Sequence, residues 1–215
     1  MKVLWVSQFG EPAQLRALGL PPESETIPPL FASFGADVVV VDVTRDPLPE
    51  PDAFDGVVVG GSIGSANDVE PWRAMLLAWL TPLRRPLLGI CGGHQIYARA
   101  HGGRVAPMVE RQSGIFPLEL PGIAGFTGEV IQMHGEHVAE VPREAEIWAR
   151  DAAGVQALRY PGRHAWTVQF HPELTLPLAE LARATTAGWQ GEDAIRAVAG
   201  GHAILRAWLA SIRLS

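Results

Sequence analysis

Two stretches constrain the fold of this chain more than any others: Val38 to Val41 within ADVVVVDV, and Val57 to Val59 within DGVVVGGS. Both are unbroken β-branched runs with no polar residue to mark a solvent face. A strand exposed on one side alternates apolar with polar, so a continuous run predicts a strand buried on both faces, as in a parallel sheet covered by helices above and below. Covering helices are written nearby. PWRAMLLAWL opens with Pro71 at a first helical position, with Asn67 and Asp68 near its cap. HQIYARAHGG ends in Gly102 and Gly103, and the apolar PLLGI lies between the two. Strand, helix, strand, helix predicts an α/β fold: an open, doubly wound, mainly parallel sheet with flanking helices.

Past Val105 the texture changes to shorter stretches broken by Pro and Gly: SGIFPLEL, GEVIQMHGEHV, AEIWARD, GVQALRYP and HAWTVQF. These predict a small mixed or antiparallel extension. From about Pro177 onward, Ile195, Val198, Leu205, Trp208, Leu209 and Ile212 recur at helical spacing, with an interruption expected at Gly200 and Gly201. That stripe is expected to pack on the sheet rather than on a partner. A chain of 215 residues buries roughly 70% of its unfolded surface without metals or disulfides. The 23 Gly and 18 Pro fall at the ends of apolar runs and form no linker, so residues 1–215 are expected to make a single domain.

Composition narrows the function. The 17 Lys and Arg against 23 Asp and Glu give a net charge of −6, without any basic run, so neither nucleic acid nor an anionic membrane surface is an expected partner. A single cysteine, Cys91, excludes an intramolecular disulfide and a multi-thiolate metal site within one chain. The first apolar stretch is too short for a signal peptide, and no window reaches the length of a membrane span, so a cytoplasmic location is expected.

Cys91 stands where an apolar strand runs through Gly89 into Gly92, Gly93 and a helix. A nucleophile on so sharp a turn needs small neighbours, because adjacent chain passes close by. The turn also sets the sulfur at a helix N-terminus, where unpaired N–H groups favour an anion. A thiolate nucleophile needs a base, and seven His are available. His94 and His101 share the helix after Cys91, His134 and His137 lie in HGEH, and His164 and His202 have no obvious company. HGEH lacks a third ligand at metal-binding spacing, so no metal site is expected. His171 follows WTVQF at the carboxyl end of a predicted strand, where open α/β sheets place their sites. Pro172 keeps the segment extended, which sends His171 and Glu173 to the same side, so the carboxylate can orient the imidazole.

Gly89-Ile-Cys-Gly-Gly-His-Gln95 together with Gln169-Phe-His-Pro-Glu173 resembles the class I glutamine amidotransferase family, in the pattern of the glutamine-hydrolysing part of GMP synthase. Gly60-Gly61-Ser62 resembles the family's oxyanion loop, and Met133-His134-Gly135-Glu136 its substrate-holding segment. The resemblance implies a flavodoxin-like fold and a Cys91 nucleophile, with His171 as acid and base and Glu173 orienting it. It also implies Gly61 and Gly92 N–H groups as oxyanion donors, and substrate contacts from Gly60, Gln95, His134, Gly135 and Glu136. No cofactor is implied. The expected substrate is glutamine or another γ-glutamyl small molecule. The expected product is ammonia for a synthase partner in trans, since no synthase domain is expected in the same chain. The alternatives are a free-standing γ-glutamyl hydrolase or peptidase, and a non-catalytic interaction protein on the same fold.

Overall fold

A computed structural model describes residues 1–10, 12–17 and 19–213. Strands β1 (Lys2–Ser7), β2 (Asp37–Asp42), β3 (Gly56–Val59), β4 (Leu87–Ile90) and β9 (Ala165–Val168) run parallel in the order β2-β1-β3-β4-β9. β8 (Gly154–Tyr160) and β7 (Glu146–Asp151) extend the same sheet antiparallel beyond β9. The buried runs explain the layering. In β1, Val3 and Trp5 point to one face and Leu4 and Val6 to the other, all four fully buried, and Val58 opposes Val57 and Val59 in the same way. One face is covered by α2 (Glu23–Ala32) and α6 (Ala194–Ile212), which bring Phe31 and Trp208. The other is covered by α3 (Pro71–Leu80) and α4 (Gly92–Ala100), which bring Leu76, Leu80, Ile96 and Tyr97. Each such side chain, fully buried, is worth about 2 kcal/mol of hydrophobic transfer. Two further helices, α1 (Pro12–Ala17) and α5 (Leu176–Thr185), contribute Leu15 and Leu178 to the wall of a cleft at the carboxyl ends of the strands. The α/β fold read from the sequence is the observed one.

Several local expectations are corrected. The Val38 to Val41 run is the edge strand of the sheet, not an interior one, and Val39 is 39% exposed because only β1 flanks it. Pro71 does open α3, but Glu70 is the cap residue; Asp68 instead pairs with the buried Arg73, and Asn67 donates to the Val105 carbonyl. The segment HAWTVQF is not part of the extension, since β9 is the parallel neighbour of β4. The remaining stretches divide in two: β7 and β8 join the main sheet, while β5 (Arg104–Pro117) and β6 (Glu129–Glu140) form a separate antiparallel ribbon. Finally, α6 runs unbroken through Gly200 and Gly201. A methyl group at Gly201 would sit 2.8 Å from Pro172 Cα, so this glycine lets the helix lie directly against the residues that follow β9. Of the predicted stripe, Ile195 is exposed while Leu205, Trp208 and Leu209 are in the core. No helix among the described residues is long and apolar enough to cross a membrane.

Candidate active site

The site grows out of the pairing of β4 with β9. Cys91 follows β4, and its backbone N–H donates to Val168 O at 2.8 Å, which continues the ladder one residue past the end of β4. The chain then turns abruptly: Cys91 caps α4 with φ 50° and ψ −103°, a left-handed-side conformation that is rare for a residue with a Cβ. Such strain costs about 1–3 kcal/mol and persists only where surrounding packing over-determines it. Gly93 supplies that packing, because its Cα lies directly against the Val59 carbonyl of β3. One strand over, the chain leaving β9 carries His171, whose own N–H is held by Ile131 O of β6 at 2.9 Å.

His171 Nδ1 lies 2.7 Å from Glu173 Oε1, and both side chains are nearly buried. The Cys91 sulfur is near enough to act electrostatically on the same imidazole. Burial alone would pull the His171 value down, but the Glu173 carboxylate and the Cys91 sulfur outweigh it and raise the imidazole well above its ordinary range. The surroundings of His171 therefore favour the protonated ring. The three residues expected to serve as nucleophile, proton donor and orienting carboxylate thus meet in one place. The other histidines do not reach it. Burial pushes His94 down to about 3, and its Nδ1 is engaged with Thr167 Oγ1 at 2.8 Å. His101 pairs with Glu144, and His202 meets the Leu174 carbonyl.

The segments expected to supply oxyanion donors also converge. A methyl group at Gly61 would lie 3.4 Å from His171 Cε1, and one at Gly92 would lie 2.7 Å from Ser62 N, so the loop after β3 is stacked on the first turn of α4. Gly60 N donates to Val6 O, and Gly60 O accepts from Gln8 Nε2 at 2.7 Å.

The expected substrate contacts are placed differently. Gln95 is buried, and its amide donates to Glu136 O at 2.9 Å and to Gln169 Oε1 at 3.3 Å. Glu136 accepts from the Ser65 hydroxyl and the Ala66 N–H, tying β6 to the loop after β3. His134 contacts Glu136 O and Gln132 Oε1, and burial holds it down at about 4. These three side chains, and Gly135 between them, do not line the cleft beside Cys91; Met133 does, with its carbonyl 4.0 Å from the sulfur.

Residues 24–182 match the sequence profile described as Glutamine amidotransferase class-I. The chain belongs to that family. Among class I relatives it is similar to the aminodeoxychorismate synthase of Streptomyces griseus, 38% identical over 139 residues, which are 60% of this chain and 19% of that protein. It is also 32% identical to the glutamine-hydrolysing GMP synthase subunit of Methanopyrus kandleri over 152 residues, 67% of this chain and 80% of that one. The chain spans about a fifth of the length of the Streptomyces protein and 23% of the GMP synthase of Thermomicrobium roseum. Among solved structures it is similar in fold to a glutamine amidotransferase of Thermotoga maritima, with TM-score 0.73 and 20% identity over 100% of this chain and 99% of that one. A Thermoplasma acidophilum protein described as a GMP synthase subunit gives 0.68 and 20%, covering 100% and 98%.

The cleft at the carboxyl ends of the strands, about 330 Å³, holds Cys91, Met133, His171 and Glu173 against a wall that includes Phe9, Leu20 and Leu178. A larger depression of about 760 Å³ at the amino ends of the strands contains none of the three reactive groups, and sites in open α/β sheets form at the carboxyl ends. Three residues with contacts here stand outside the expected site residues, Gln169 although it opens the Gln169-Phe-His-Pro-Glu173 segment. Gln169 Nε2 donates to Cys91 Sγ at 3.7 Å, Gln8 clamps the loop, and Glu23 lines the cleft with its carboxyl oxygens close to Ser7 and Trp5.

Burial, opposed by the nearby polar groups of Ser7 and Trp5 and reinforced by Glu173 and Asp42, raises Glu23 from 4.5 to about 8. The native carboxyl keeps its proton where the unfolded one has lost it, so its burial costs stability progressively as pH rises from 4.5 to about 8. Glu23→Gln removes the ionisation. Its melting temperature relative to wild type is expected to gain a few °C, about 4 or more, between pH 5 and pH 8. Parallel curves of melting temperature against pH would show that Glu23 does not titrate in this window.

Proposed function

We propose that the protein hydrolyses the side-chain amide of glutamine through a γ-glutamyl thioester on Cys91, releasing glutamate and ammonia to a synthase acting in trans in the cytoplasm. The Cys91 thiolate attacks the amide carbon, and the carbonyl electrons move onto oxygen, facing the N–H groups of Gly61 and Gly92. Collapse breaks the C–N bond while the His171 imidazolium gives its proton to the departing nitrogen, so ammonia leaves and the imidazole is neutral. Neutral His171 then takes a proton from water as the oxygen attacks the thioester, and sulfur leaves as thiolate with the imidazolium restored. The balance is glutamine and water to glutamate and ammonia.

Glu173 keeps Nδ1 protonated and the ring in place throughout. The glutamine amino and carboxylate groups are assigned to the backbone at Gly60 and along Met133 to Glu136, which Gln95, His134 and Glu136 hold rigid from behind. The observation that carries the reading is the 2.7 Å His171 to Glu173 contact beside the strained Cys91 turn. The similarity to proteins named as glutamine-hydrolysing subunits of GMP synthase supports a partner in trans.

One observation favours a second reading. The apolar wall of Phe9, Leu20 and Leu178 offers room for a leaving group larger than ammonia, as in a γ-glutamyl hydrolase or peptidase. Intact-mass spectrometry after incubation with a diazo-ketone glutamine analogue separates the readings. A single adduct on wild type, absent from Cys91→Ser and suppressed by excess glutamine, is expected. Suppression by γ-glutamyl peptides but not glutamine would replace the amidotransferase reading with the hydrolase. No adduct at all would favour a non-catalytic protein on this fold.

A further inference from the structure

Gln8 lies just beyond β1 and is nearly fully buried, yet no step of the proposed reaction uses it. Its Nε2 donates to Gly60 O at 2.7 Å, while its Oε1 is buried with no hydrogen-bond partner. Leaving a buried amide oxygen unpaired is costly, and an aliphatic side chain of the same size would avoid that cost. What the amide contributes is therefore its single donated hydrogen bond.

That bond fixes a peptide plane. The Gly60 to Gly61 peptide is trans, as no cis bond occurs among the described residues, so its C=O and N–H point in opposite directions. Holding the Gly60 carbonyl on Gln8 turns the Gly61 N–H away from the β1 side. Gly60 N is already fixed on Val6 O, and the space where a Gly60 Cβ would be is closed by Glu23 and Trp5, each 3.0 Å away. Glycine on both sides of the peptide leaves it otherwise free to flip. A flip would put the Gly60 carbonyl where the oxyanion donor belongs and leave both ends of the buried Gln8 amide unpaired.

We propose that Gln8 is a positioning residue that locks the Gly60–Gly61 peptide with its N–H toward the reacting oxygen, so that the oxyanion hole is formed before substrate arrives. The inference rests on Gly61 being an oxyanion donor in the reaction proposed above. Removing such a donor outright costs about 100- to 1000-fold in kcat, so releasing its lock should cost less, about 10- to 100-fold.

The test uses the full chain with Gln8→Met, which keeps the volume and loses the donor, and Gln8→Leu, which also removes both polar ends of the amide. Three quantities are compared with wild type: kcat and KM for glutamine, inhibition by glutamate γ-semialdehyde, and the rate of Cys91 alkylation by iodoacetamide. The aldehyde forms a hemithioacetal whose oxygen needs the hole, whereas alkylation does not. The expected result is a 10- to 100-fold loss of kcat with KM within about threefold, a proportional loss of aldehyde affinity, and alkylation within about twofold. Unchanged kcat and aldehyde affinity, or alkylation falling in step with kcat, would overturn the assignment. Crystal structures of wild type and Gln8→Met read the peptide orientation without any turnover; an identical orientation in both would also overturn it. Failure of the amidase reading itself would show differently, as wild-type protein that neither hydrolyses glutamine nor takes the diazo-ketone label.

Discussion

His171→Ala is expected to lower kcat for glutamine hydrolysis by about a thousandfold while changing KM by less than about threefold. The imidazole does two proton transfers in the proposed cycle, and positioned acid–base groups are worth about 10²- to 10⁴-fold each. Neither transfer contributes to holding the substrate, which is why the loss belongs in kcat. Glu173→Gln gives a graded version of the same effect and a sharper diagnostic. The Glu173 carboxylate, 2.7 Å from Nδ1, is the first of the influences that raise the imidazole against the downward pull of burial.

The acylation step needs imidazolium, so the alkaline limb of kcat/KM in wild type should lie well above pH 6.5, where the proton is finally lost. Removing the carboxylate leaves burial less opposed, so in Glu173→Gln that limb should move to lower pH, with kcat reduced about 100-fold. Profiles of kcat and kcat/KM between pH 5 and 10 decide the matter. A limb that stays in place in Glu173→Gln would mean that the carboxylate does not control the proton on His171.

The parts of this site that are readable from sequence are those whose geometry is local. A strand running into Gly89, Cys91, Gly92 and Gly93 dictates its own turn, and His171-Pro172-Glu173 sets its two side chains on one side through backbone restriction alone. What local pattern cannot supply is the neighbour relation between distant strands. That β9 lies beside β4, which is what brings Cys91 and His171 together, is a property of sheet order. The same limit hides Gln8 and Glu23, ordinary polar residues whose neighbours Gly60, Trp5 and Ser7 belong to other elements or to strand ends. The Val38 to Val41 run misleads for a related reason. An edge strand with a helix packed over one side can be as apolar as an interior one, since Val38 and Val40 still pack against the core while Val39 does not. Gln95 faces the other way from expectation because the carbonyl of Glu136 and the amide of Gln169 compete for it from inside. Helical periodicity identifies its face but not what that face meets.

Gly93→Ala is expected to have the largest effect on stability of any single methyl addition near the site. The added carbon would sit 2.0 Å from Val59 O and 2.7 Å from Val59 C, both backbone atoms, so no rotamer change can relieve the overlap. β3 is an interior strand whose Val57, Val58 and Val59 are fully buried, and it cannot retreat without disturbing β1 and β4. α4 must therefore move outward by about 1 Å or more, an overpacking that costs about 3 kcal/mol or more. For a chain of this size that corresponds to a fall in melting temperature of about 6–12 °C.

The same displacement lifts Cys91 away from His171 and separates Gly92 from the Ser62 loop. Protein that remains folded should therefore lose at least 100-fold in kcat, the scale of a 1 Å misplacement. Gly135→Ala is the matched comparison: a Cβ there meets nothing within 4 Å and the backbone is not in the positive-φ region, so stability should stay within about 0.5 kcal/mol. Thermal melts of the two variants beside wild type measure the contrast. A Gly93→Ala protein melting within 2 °C of wild type would mean that α4 does not bear directly on β3. The strained Cys91 turn would then lack the packing that holds it.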